Sequence, residues 1–159
     1  MHSHAIAGQE PATSAKGSEA WDELESSVHA ALETYSNVHR GSGHNSMVST
    51  HLFEQAREIV LEYLKLDKDR YVVLFGTPRR AEQLKAGLKS GSCQILSSQE
   101  LGLSLGVRAL AVERSALPGG APFQPGGGTA RLVFPGRTIW AKAPDRFEAG
   151  TPAIVNVIA

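Results

Sequence analysis

Several stretches of this 159-residue chain carry residue types that could do chemistry. Gly76-Thr77-Pro78-Arg79-Arg80 follows a short apolar run and opens a helical pattern. A helix start offers unpaired amides and the positive end of the dipole, so a phosphate could sit there. Thr77 could add a hydroxyl, and Arg79 or Arg80 a charge. An ordinary strand-to-helix turn uses the same residues, and the pattern alone favours it. The Walker spacing is absent. Pro125-Gly126-Gly127-Gly128-Thr129 permits close approach of backbone to a ligand or another chain, or is simply a hairpin connection. In Asp145-Arg146-Phe147-Glu148-Ala149-Gly150-Thr151-Pro152, Arg146 could grip a carboxylate with two hydrogen bonds. It could equally be a surface arginine paired with Asp145 or Glu148. His39, Arg40, His44 and Asn45 crowd one polar loop, with His51 and Glu54 just beyond. Metal-ligand spacing is poor there, so no metal is assigned. Cys93 lies in an apolar run and reads as a small hydrophobe.

The elements that must position these residues alternate. A helix is predicted over 19–35, with Trp21, Leu24, Val28, Leu32 and Tyr35 on one face and Ser18 as its cap. A second runs over 48–65, with a stripe of Val48, Leu52, Ala56, Ile59, Val60, Tyr63 and Leu64. Strands are predicted at 71–75, 93–97 and 107–113, with a helix over 79–89 between the first two. Residues 101–106 are ambiguous. Two further strands, 131–134 and 138–142, flank a Pro135-Gly136 turn, and an apolar stretch over 153–159 suggests a last helix that nothing caps. This is an α/β arrangement with N-terminal helices, a small mixed sheet and an antiparallel pair near the C-terminus. Residues 1–18 read as a flexible arm, and 19–159 as one domain.

Composition narrows the function. Hydrophobic residues make up 42% and charged residues 20%, enough for a packed core. Sixteen basic residues balance sixteen acidic ones, against a dedicated nucleic-acid binder. One cysteine excludes an intramolecular disulfide framework. The absence of an apolar span or signal core predicts a cytoplasmic protein away from membranes.

Taken together, these segments resemble the class V aminotransferases, the fold-type I pyridoxal-phosphate enzymes that include cysteine desulfurases and selenocysteine lyases. Arg146 to Pro152 is similar to that family's RFEAGTP motif, residue for residue. Asn37 to Gly41 with its following helix, Phe75-Gly76-Thr77, and Pro122-Phe123 through Gly128 resemble other parts, in the same order, over about residues 30–159. The resemblance implies pyridoxal phosphate as cofactor and a homodimer. It implies that Thr77 binds the cofactor phosphate and that Gly126, Gly127 and Gly128 approach it from the neighbouring subunit. It further implies that Arg146 holds the substrate carboxylate while His39 and Arg40 line the entrance.

The departures limit that expectation. The family forms its internal aldimine on a lysine in a Ser-x-His-Lys-type segment followed by glycines. Here Cys93 to Ser97 passes almost directly to Leu103 to Val112, and none of the lysines has the expected context. Pro78-Arg79-Arg80 also replaces the usual small and acidic residues of the phosphate loop. Without a Schiff-base lysine there is no electron sink to tune, so no catalytic residue is assigned. The leading expectation is a truncated or degenerate aminotransferase-like domain that pairs with a copy of itself or with a catalytic aminotransferase domain. The others are a binding module for a small amino or keto acid, and an active enzyme using an unconventional lysine.

Overall fold

The computed structural model describes residues 13–39 and 41–159. Helix α1 (Thr13–Glu33) begins ahead of the Ser18 cap position, and α2 (His44–Tyr63) follows the polar loop. Then come β1 (Tyr71–Gly76), α3 (Pro78–Ala86), β2 (Cys93–Leu96) and a 3-10 turn at Ser98–Leu101, which ends where the ambiguous stretch begins. Next are β3 (Arg108–Glu113), the hairpin β4 (Ala130–Phe134) and β5 (Arg137–Trp140), a 3-10 turn at Asp145–Phe147, and α4 (Ile154–Ile158).

The main sheet has the order β1-β3-β2. The alternation of strands and helices suggested a mixed sheet, but both pairings are antiparallel. The physical reason is that β3 inserts between β1 and β2 and runs against both. Parallel strands that are not neighbours need no parallel ladder.

Both faces of this sheet are covered, as the unbroken apolar runs of β1 and β3 require. One face packs Val73, Phe75, Ala109 and Ala111 against Val38, Phe53, Leu61 and Ile154, from the loop, α2 and α4. The other packs Val72, Leu74, Leu110 and Val112 around Phe147, with Leu84 and Leu88 beside it. Phe147, inside the Arg146–Pro152 segment, is therefore a core residue, 2% exposed.

The helical stripes need correction. On α1, Leu24 and Ala31 are buried, but Trp21 and Leu32, and Tyr35 just beyond its end, are more than half exposed. On α2 the buried line is Ser46, Ser49, Phe53, Arg57 and Leu61, while Ile59 and Tyr63 face out. Polar groups can be buried where the chain supplies partners. The Ser46 hydroxyl donates to Asn37 O at 2.7 Å, and that of Ser49 to Thr34 O at 2.9 Å. Hydrophobicity alone cannot see such partners, so the apolar stripe is rotated from the buried one. Among the described residues, no helix is long and apolar enough to cross a membrane.

Candidate functional site

The Arg146–Pro152 segment separates two clefts. The larger, of about 570 Å³, is lined by Thr77, Arg79, Arg80, Gln83, Glu148 and Thr151 among others. The smaller, of about 180 Å³, is lined by Val38, His39, Gly128, Asp145, Glu148, Gly150 and Pro152.

β1 delivers Thr77 to the larger cleft, and Thr77 caps α3. Its Oγ1 accepts from the Arg80 amide at 3.3 Å, with Pro78 in the first helical turn. The hydroxyl expected to bind phosphate thus has a partner within the chain. Arg79 is exposed on the cleft wall. Arg80 folds back instead, with its stem in contact range of the space a side chain at Gly76 would occupy. Its guanidinium donates to Phe147 O at 2.7 Å and to Ala149 O at 3.2 Å. Burial pulls the Arg80 pKa down, and Glu148 opposes that shift.

Glu148 is the junction of the site. Its carboxylate accepts two hydrogen bonds from Arg57, at 2.9 and 2.8 Å, and one from the Phe75 amide. Arg57 also donates to Val73 O at 2.6 Å and to Glu54 at 3.1 Å. Its guanidinium carbon lies 5.0 Å from the ring centres of both Phe53 and Phe75. Both side chains of the pair are below 10% exposed. Burial alone would lower the Arg57 pKa, but Glu148, with Glu54 behind it, holds it above the ordinary value. Charges this deep are tolerated because each has a partner of good geometry.

The glycine loop meets the same segment. A Cβ on Gly126 would sit 2.9 Å from the Cβ of Ala149, so only glycine fits without displacement. Gly150 N donates to Gly127 O at 2.9 Å. Buried Thr129 locks the turn: its Oγ1 accepts from Gly126 N at 3.0 Å and donates to Gly126 O at 2.7 Å. Gly128 reaches the smaller cleft, while Gly126 and Gly127 line neither cleft.

Arg146 does not line either cleft. It donates to Pro118 O at 3.1 Å and lies 4.8 Å from the Phe147 ring centre. His39 does reach the smaller cleft, 3.2 Å from Glu54. Arg40 lies outside the described residues. Among these no group of three or more metal-ligating side chains gathers. The structure therefore brings Thr77 to one cleft and His39 with Gly128 to the other. It leaves Arg146 apart from both.

Sequence reasoning missed Arg57, although a signal was present. It sits four residues from both Phe53 and Leu61, which puts a charge on the line of the helix that faces the sheet. The partner of Glu148 is Arg57, not Arg146.

Residues 93–159 match the family model of the class-V aminotransferases. No curated protein matches the chain in sequence. Among solved structures, the apo cysteine desulfurase from Thermococcus onnurineus NA1 is similar with a TM-score of 0.63 and 17% identity. The similarity covers 91% of this chain and 62% of that one, so the chain carries part of that fold. At that identity the likeness is one of fold.

Pyridoxal phosphate, general to that family, would need a lysine for its aldehyde and free donors for its phosphate. The Thr77 hydroxyl accepts from the Arg80 amide and keeps its O–H to donate, but among the described residues no lysine lines either cleft. The residues present do not fit a Schiff-base cofactor.

Proposed function

We propose that this chain is a class-V aminotransferase-like pairing domain without catalytic activity of its own. The observation that carries this reading is the larger cleft, which holds the expected phosphate turn but no lysine. Between β2 and β3, Ser97-Ser98-Gln99-Glu100 then supports it. With Gly102 and Gly106 following, this turn holds no lysine, and its one charged residue is Glu100. A carboxylate cannot form an imine. Glu148, Ala149 and Phe147 serve packing within the chain, as a scaffold role needs. Its partner would be a second copy or a catalytic aminotransferase domain, and its location the cytoplasm.

Reduction with borohydride after incubation with pyridoxal phosphate, followed by peptide mapping, tests this. The expected map shows no site-specific pyridoxyl-lysine. Stoichiometric labelling of one lysine would overturn the reading.

A second reading is a binding module for a small amino or keto acid. The exposed Arg79 on the wall of the larger cleft favours it, and Arg146 does not take part. Calorimetric titration with keto acids would show binding that Arg79→Ala abolishes. No heat from any of them would exclude it.

A further inference from the structure

We infer that β2 is a pairing edge, which takes the β2 strand of a second copy of this chain. This deepens the pairing role proposed above and rests on it.

The register fixes which backbone groups point out of the sheet. Glu113 N donates to Ser92 O at 2.9 Å, directly beyond the Cys93–Val112 pair. Hydrogen-bonded and non-hydrogen-bonded pairs alternate along an antiparallel ladder. Gln94 and Leu96 therefore turn their N–H and C=O toward β3, and Cys93 and Ile95 turn theirs outward. The same alternation across β1 directs Val72, Leu74 and Gly76 toward β3 and Tyr71, Val73 and Phe75 outward.

The two free edges are treated differently. At β1 three of the six outward groups are occupied: Tyr71 N donates to Asp67 O at 2.8 Å, Val73 O accepts from Arg57, and Phe75 N donates to Glu148. The buried ion pair supplies the acceptor and the donor that a neighbouring strand would supply. At β2, among the described residues, nothing hydrogen-bonds the outward groups of Cys93 and Ile95. The strand Cys-Gln-Ile-Leu also carries no charge, proline or bulge, the usual guards of an edge.

The occupant follows from this asymmetry. A two-fold axis through Gln94 pairs Cys93 of one copy with Ile95 of the other, and both outward N–H groups find both outward C=O groups. The product is one antiparallel sheet, β1-β3-β2-β2-β3-β1, whose remaining edges both carry Arg57 on Val73 O and Glu148 on Phe75 N. Such an isologous contact closes on itself. Head-to-tail growth, β2 onto β1, would have to displace the buried Arg57–Glu148 pair. With a net charge of zero the copies do not repel.

The test is light scattering of the full chain together with a cross-link. Opposed Gln94 residues would form a non-hydrogen-bonded pair with Cα atoms about 4.5 Å apart, within reach of a disulfide. Gln94→Cys in a Cys93→Ser background should oxidise to a covalent dimer in high yield. Cys93→Pro removes an outward N–H while sparing the β3 ladder, and should turn the dimer into a monomer with unchanged circular dichroism. A dimer that neither cross-links at Gln94 nor dissociates with Cys93→Pro would overturn the β2 contact and leave the pairing role intact. A monomeric parent chain would overturn the β2 contact and self-pairing together. A cross-link that appears only with a different protein's strand would replace the second copy as occupant.

Discussion

Gly126 and Ala149 touch so closely that one methyl group decides whether the glycine loop can dock. Gly126→Ala should destabilise the chain by about 1–3 kcal/mol through overpacking. Ala149→Gly in the same chain should restore most of this, less glycine's own cost of about 0.5–1 kcal/mol. Urea denaturation measures both, with Gly119→Ala, where a Cβ meets nothing within 4 Å, as the neutral comparison. Arg57→Met leaves Glu148 buried without its partner and should cost about 3 kcal/mol or more. Adding Glu148→Gln removes the stranded charge but keeps an acceptor for the Phe75 amide, so the double variant should be more stable than Arg57→Met alone. Equal stability of the two would refute the idea that the buried charge dominates. At this scale the sequence was legible as a motif but not as a set of roles. Arg146 to Pro152 could be read as a unit, whereas Phe147 entering the core and Glu148 turning to Arg57 depend on a helix far away in the chain.

Elements were more legible than roles because punctuation and periodicity are local. The strand at 71–75, the Gly76-Thr77-Pro78 break and the Pro135-Gly136 turn fall where sequence places them. The cap at Thr77 gives a direct prediction: Thr77→Ala should lower stability by about 1 kcal/mol through loss of the α3 cap, and thermal unfolding would measure it. What was not legible is the rotation of α2 about its axis. Ser46, Ser49 and Arg57 look like surface residues until their partners at Asn37, Thr34 and Glu148 are known. Burial, with Glu82 adding and Lys85 opposing, pushes the Cys93 thiol above its ordinary pKa. Less thiolate is then present at neutral pH. Alkylation of Cys93 should run more slowly than that of cysteine in a short peptide, and should gain rate as pH rises beyond the usual thiol range. Alkylation at neutral pH as fast as the peptide's would contradict that environment.

For the molecule as a whole, the outline of an α/β fragment was readable, and the direction of its sheet was not. Strand order depends on which segments come together, and β3 entering between β1 and β2 leaves no mark on local composition. The fold is similar to part of that of a solved cysteine desulfurase, and among the described residues no lysine lines the two clefts beside the Arg146–Pro152 segment. The central claim is that this domain pairs and supports rather than catalyses. The most direct measurement is a titration of the purified chain with pyridoxal phosphate, read by visible absorption before and after desalting. The expected result is the spectrum of free cofactor, lost on desalting. An aldimine band that survives desalting would contradict it.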